Sequence, residues 1–204
     1  MSILKNDTKS VILVGVGGQG VILASRILTA GLMAAGYDVK MSEIHGMSQR
    51  GGSVSTQIRY GSKVYSPIIG RGQADVLVSF ETMEALRALP YLKPQGKVVV
   101  NDYRMPSMPI LAGDREYPDS IIDELQSRAD TLALDASAIA ADQGNPRGMN
   151  VVLLGALISA LDIREADWFS ALRACVKPQL VEANIRCLDA GMKAQGPVRN
   201  MKEG

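Results

Sequence analysis

Gly15-Val16-Gly17-Gly18-Gln19-Gly20 constrains this fold more than any other segment, because of what flanks it. The run before it, Val11-Ile12-Leu13-Val14, is apolar without alternation, the pattern of a parallel strand buried on both faces. After it, Ile22, Ala24, Ile27, Leu28, Leu32 and Ala35 recur at helical spacing over residues 21–35, and Gly36 supplies a C-cap. Residues 37–43 read as a second strand. The first 43 residues therefore predict a β-turn-α-β unit with six positions of glycine-rich chain at its turn.

The same alternation continues. Residues 54–60 alternate and read as a strand, and Tyr60-Gly61-Ser62-Lys63 reads as a hairpin turn into Val64-Tyr65. Residues 74–80 and 97–101 are further buried strands, with a helix over 82–89 closed by Pro90 between them. Residues 105–118 hold three prolines and predict an extended connection with at most a short edge strand. A helix over 119–128 and a last strand over 131–134 follow. Residues 136–141, 148–161 and two segments between 166 and 194, parted by Pro178, read as helices. The expected fold class is α/β: a single Rossmann-like domain over residues 1–204 with an open, mostly parallel sheet. The α/β core should occupy about 9–135 and the C-terminal helical part about 136–195. The segment 151–161 is apolar on every side, so it must be covered all round, by the last helices or by a partner chain.

Composition removes several function classes. The chain has 204 residues with 22 basic and 21 acidic side chains, a formal charge of +1, which speaks against a nucleic-acid-coating role. A single histidine, His45, rules out a histidine-based zinc site, so no metal site is expected. Two cysteines, Cys175 and Cys187, are too few for a four-thiolate cluster or a secreted disulfide framework, and read as buried small apolar residues. The first ten residues are too polar for a signal peptide, and the longest apolar run is too short to span a membrane. The expectation is a cytoplasmic chain with no membrane partner.

Two constellations carry candidate chemistry. In the first, Gly15, Gly17, Gly18, Gln19 and Gly20 allow a sharp turn and the approach of a phosphate to a helix N-terminus. A dinucleotide also wants an acidic residue at the end of the second strand to hold a ribose, and Glu43 stands there, slightly late. A turn that only packs helix against strand accounts for the same glycines. In the second, residues 43–52 hold His45, Gly46, Arg50, Gly51 and Gly52. In a doubly wound sheet this loop leaves the carboxyl end of a strand beside the glycine turn. Arg50 suits a phosphate or carboxylate and His45 a proton shuttle, and both equally suit structural roles. Glu81 and Glu84, at a helix start, read as dipole-facing structural carboxylates.

Residues 15–21, the segment Gly46-Met47-Ser48-Gln49-Arg50-Gly51-Gly52-Ser53-Val54, and Ala74-Asp75-Val76-Leu77 with Glu81 together resemble the gamma-type domain of the 2-oxoacid:ferredoxin oxidoreductases. His45 ahead of that segment resembles the indolepyruvate branch of the family. The resemblance runs from about residue 11 to 161. It implies an enzyme that converts an arylpyruvate, coenzyme A and oxidised ferredoxin to an arylacetyl-CoA, carbon dioxide and reduced ferredoxin. It implies that thiamine diphosphate and 4Fe-4S clusters sit on a larger partner subunit, that this chain alone binds no cofactor, and that coenzyme A is a co-substrate. Consistent with this, Gly113-Asp114 lacks the third glycine of a thiamine diphosphate motif. Under the resemblance, Gly15, Gly17, Gly18, Gln19, Gly20, Glu43, Arg50, Gly51 and Gly52 are the candidate cofactor-binding positions, with His45 and Arg50 the catalytic candidates. Two other readings of the residues stand beside it: an independent NAD- or FAD-binding oxidoreductase, and a non-catalytic assembly subunit.

Overall fold

The computed structural model describes residues 8–45, 52–163 and 166–194. A six-stranded sheet runs in the order β2-β3-β1-β4-β5-β6. Its strands are β1 (Lys9–Val16), β2 (Asp38–His45), β3 (Ser53–Gly61), β4 (Ala74–Ser79), β5 (Leu92–Asn101) and β6 (Asp130–Leu134). The helices are α1 (Val21–Ala34), α2 (Thr82–Ala88), α3 (Met108–Leu111), α4 (Ile121–Arg128), α5 (Ala136–Asp142), α6 (Met149–Leu161), α7 (Trp168–Cys175) and α8 (Val181–Lys193). The expected α/β class with a mostly parallel open sheet and C-terminal helices is what forms. β1, β4, β5 and β6 pair in parallel.

β1 shows why an apolar run with no alternation becomes a central strand. Val11 and Leu13 enter a core shared with α1 and α5–α8, while Ile12 and Val14 enter the opposite core, shared with α2 and α4. Both faces of the strand are therefore dry, and every side chain of the run is buried. The sheet becomes the middle layer of three.

The neighbour of β1 is not β2. β3 folds back antiparallel between them, Leu13 opposite Thr56 on one side and Ile58 opposite Met41 on the other. This overturns the hairpin expected at residues 60–63. β3 is already paired along both edges, so a strand returning after Gly61 would have no free edge to join. Residues 62–73 instead run as an ordered connection. Gln57 Oε1 accepts from the Ile69 N–H at 2.7 Å, Asp38 Oδ2 accepts from the Val64 N–H at 2.9 Å, and Arg59 donates to the Ser66 carbonyl at 3.3 Å. The segment 105–118 contains the short helix α3 and no edge strand.

The apolar helix α6 is covered within this chain. It packs against α8, α5 and α1 and lies over β4 and β5. Gly155 and Gly191 let the α6 and α8 backbones touch: a Cβ on Gly191 would lie 2.0 Å from the Val152 carbonyl oxygen. Among the described residues no helix is long and apolar enough to cross a membrane.

Candidate functional site

The carboxyl ends of β1, β4 and β5 and the first residue of β3 meet along one edge of the sheet, where open α/β folds place their ligands. The glycine turn lies at the centre of that edge, and it is filled from inside. Gln19 folds back over it: Oε1 accepts from the Val16 N–H at 2.7 Å and Nε2 donates to the Phe80 carbonyl at 3.1 Å. The Gln19 N–H donates to the Val16 carbonyl at 3.1 Å, and the Gly17 N–H to the Gly52 carbonyl at 2.9 Å. A Cβ on Gly15 would stand 2.8 Å from Gln19 Oε1 and 2.9 Å from Phe80 Cβ, so the first glycine makes room for the glutamine. Gly20, at φ +83°, caps α1, and Asn150 of α6 donates Nδ2 to its carbonyl at 3.3 Å. Three of the turn's amides are spent within the protein. Gly18, at φ +99°, has open space around it and forms the turn's free edge.

The Phe80 carbonyl also accepts from Asn101 Nδ2 at 3.4 Å, and Asn101 Oδ1 accepts from the Ala136 N–H at 2.9 Å. Gln19 and Asn101 thus join the ends of β1, β4 and β5 to the start of α5 through one line of satisfied buried bonds.

Beside this line sits Glu81, only 1% exposed. It caps α2, with Oε2 accepting from the Glu84 N–H at 2.9 Å. Its Oε1 accepts from the Met105 N–H at 3.1 Å and from the Tyr117 hydroxyl. The Tyr117 oxygen also lies 2.6 Å from Thr82 Oγ1 and accepts from the Met83 N–H at 3.2 Å. One carboxylate therefore holds both ends of the strap 105–117 against the β4–α2 junction. Burial, reinforced by the Glu81 carboxylate, pushes the Tyr117 phenol up to about 12. Glu84, also buried, accepts from Ser53 Oγ at 2.6 Å and pairs with Arg87. The strap roofs a cavity of about 380 Å³, lined among others by Val16, Met83, Met105, Met108, Leu111 and Tyr117.

The structure brings some candidate residues together and separates others. Gly15, Gly17, Gly18, Gln19 and Gly20 form the turn, and Gly52 is bonded to it. His45 ends β2 opposite Val54, and Glu43 pairs with Thr56 on the same strand, so β3 stands between Glu43 and the glycine turn. Gly46, Arg50 and Gly51 lie outside the described residues. Among the described residues no group of three or more His, Cys, Asp or Glu is placed to hold a metal ion. Cys175 and Cys187 are free thiols, each pushed up by burial. The roles of Glu81, Glu84 and Tyr117 were not legible as a set. Glu81 and Glu84 read as helix-start carboxylates, whereas their decisive partners lie 24 to 36 residues away.

With this geometry in place, the likeness to known proteins becomes informative. The family model for pyruvate ferredoxin/flavodoxin oxidoreductases matches residues 10–194. The chain is similar to indolepyruvate oxidoreductase subunit IorB of Pyrococcus horikoshii, 37% identical over 204 residues that cover 94% of this chain and 98% of that one. The subunit of the same name from Thermococcus kodakarensis is 37% identical over 193 residues, 91% of this chain and 95% of the relative. In fold, the chain resembles the gamma subunit of a keto/oxoacid ferredoxin oxidoreductase from Geobacter sulfurreducens, with a TM-score of 0.66 at 22% identity over 90% and 95% of the two chains. It also resembles part of a 2-oxoglutarate:ferredoxin oxidoreductase from Magnetococcus marinus, with a TM-score of 0.70 at 20% identity over 92% of this chain and 31% of that one.

Proposed function

Because the chain belongs to the pyruvate ferredoxin/flavodoxin oxidoreductase family, we propose that it is the small subunit of an arylpyruvate (indolepyruvate):ferredoxin oxidoreductase. The assembled enzyme would decarboxylate the 2-oxoacid oxidatively, form an acyl-CoA and reduce ferredoxin. The observation that carries this reading is the near full-length likeness to subunits named for indolepyruvate, 37% identical over 94% of the chain.

The residues present support a division of labour. Two cysteines on separate C-terminal helices cannot ligate a 4Fe-4S cluster. Gly113-Asp114 is followed by Arg115, so a thiamine diphosphate motif is incomplete. Neither group fits this chain, and both belong on the larger subunit, where thiamine diphosphate would supply carbanion chemistry. Ferredoxin takes the electrons and coenzyme A enters as co-substrate.

This chain's own part is the rim. Arg50 meets a phosphate of coenzyme A through paired N–H donors, and His45 is the proton-carrying candidate at the foot of the same segment. The glycine turn, its amides largely spent, holds Gly52, just ahead of β3, beside β1 through the Gly17–Gly52 bond. An NAD- or FAD-binding role gains nothing from a turn that its own Gln19 occupies.

Anaerobic co-expression with the larger subunit tests the assignment. The expected product is a brown complex that reduces a redox dye only when indolepyruvate and coenzyme A are both supplied. A colourless chain that assembles with nothing would remove the reading. Saturable nicotinamide binding by the chain alone would replace it with an independent dehydrogenase.

A further inference from the structure

The strap 105–117, with Tyr103 just ahead of it, combines three properties. It exposes large apolar side chains in one run: Tyr103, Met105, Met108 and Leu111 are 43%, 38%, 75% and 67% exposed. It roofs a cavity of about 380 Å³ that Val16 makes continuous with the glycine turn. It is held rather than loose, because Glu81 binds it at Met105 and at Tyr117 and the Tyr103 carbonyl accepts from the Thr82 N–H at 3.0 Å. A fixed apolar surface over a hollow presents an anchoring socket, since the ordering cost of the strap is met within the folded chain.

Charge narrows the occupant. Residues 101–124 carry six acidic and two basic side chains in a chain whose formal charge is +1. One of those basic groups, Arg104, is paired with Asp119, and one of the acidic groups, Glu124, with Arg128 just beyond the segment, which leaves Asp102, Asp114, Glu116 and Asp123 against Arg115. The cavity itself is lined by Glu81 and Glu84 against Arg87. The Glu81 carboxylate is already satisfied by three donors, so what the socket offers a visitor is apolar contact inside an acidic surround. A nearly neutral second copy of this chain gains little from that field, and an acidic partner is repelled by it.

We propose that the strap is the docking socket for the larger subunit, and that the docking segment carries an apolar anchor side chain flanked by lysine or arginine. This rests on the reading above that such a subunit exists. The segment's apolar anchor enters among Met105, Met108 and Leu111, where methionines adapt to an irregular guest. Its basic side chains face Asp114 and Glu116, which steer the encounter and fix its register. The socket borders the glycine turn, so docking there closes the partner against the rim on which Gly52 sits.

Affinity between the two purified subunits, measured at low and high salt, tests this with three variants. Met108→Glu with Leu111→Glu is expected to weaken assembly at least tenfold while leaving the melting temperature of the isolated chain unchanged, since both side chains are exposed. Asp114→Lys with Glu116→Lys is expected to weaken assembly at low salt only. Tyr65→Glu with Ile68→Glu, on an exposed loop at the opposite edge of the sheet, is expected to change nothing. Wild-type affinity in the Met108/Leu111 variant would overturn the socket, as would loss of assembly in the Tyr65/Ile68 variant alone. Self-association of the isolated chain that the Met108/Leu111 variant abolishes would overturn it in favour of a second copy. If wild-type subunits do not assemble at all, the functional reading falls first and takes the socket with it.

Discussion

Asn150 and Gly20 lie 130 residues apart in sequence, and the asparagine Nδ2 donates to the glycine carbonyl at 3.3 Å. The contact joins the start of α6 to the cap of α1, so the C-terminal helices reach the rim of the glycine turn. It also explains why the third glycine of the motif must be glycine. A Cβ there would stand 2.6 Å from Asn150 Nδ2, on a backbone already at φ +83°.

Gly20→Ala is therefore expected to cost about 2 kcal/mol, from the left-handed backbone and the collision together. Asn150→Ala alone should cost about 1 kcal/mol for the lost bond. The double variant should cost less than the sum, because removing the amide relieves the collision and leaves only the backbone strain. Urea denaturation of the three variants measures this. Strictly additive losses would mean that the two residues do not meet.

The α6–α8 contact makes a stronger demand. A Cβ on Gly191 would lie 2.0 Å from the Val152 carbonyl oxygen, and one on Gly155 would lie 2.3 Å from that of Leu188. Both obstacles are backbone, so no side chain can rotate away. Gly191→Ala is expected to force the helices apart at a cost of about 3 kcal/mol. A thermal melt should show a large drop, and an unchanged melting temperature would exclude the close packing.

Tyr117 gives a pH signature. Burial and Glu81 raise its folded pKa to about 12 from an ordinary 10, so the bond to Glu81 stabilises the fold only while the phenol keeps its proton. The contribution is full below pH 10 and is lost as the pH rises through about 12. Tyr117→Phe should be less stable than wild type by about 1 kcal/mol at pH 7, with the gap closing across that interval. A gap that stays constant to high pH would show that the phenol does not hold the strap.

Arg50 is tested in the assembled enzyme. Arg50→Ala is expected to raise the KM for coenzyme A about tenfold with little change in kcat, as for a charge-assisted contact made equally in the ground and transition states. Arg50→Lys should recover part of the loss. Kinetics indifferent to both substitutions would remove Arg50 from the coenzyme A contact.

Much of the framework was legible because its causes are local. Val11–Val14 has no polar position to turn toward water, so it could only be a central strand. Gly36 at φ +90° stops α1, as its place after a helical run implies. The hairpin expected at residues 60–63 does not form although the turn chemistry at Gly61-Ser62 is real, because β1 and β2 occupy both edges of β3. Glu81 was legible as a helix-start carboxylate and illegible as a clamp, since Met105 and Tyr117 are remote in sequence.

The sequence by itself determined the order of the six strands and of the helices other than α3, the stop at Gly36, the break at Pro178, and the family, because periodicity, turn chemistry and a motif of neighbouring residues need no distant partner. Only the tertiary structure decided that β3 lies between β1 and β2, that Gln19 folds back over the glycine turn, and that Glu81 holds a strap over a cavity. Each of these depends on which buried donor finds which acceptor across 24 to 61 residues of chain, and that pairing exists only after the sheet has assembled.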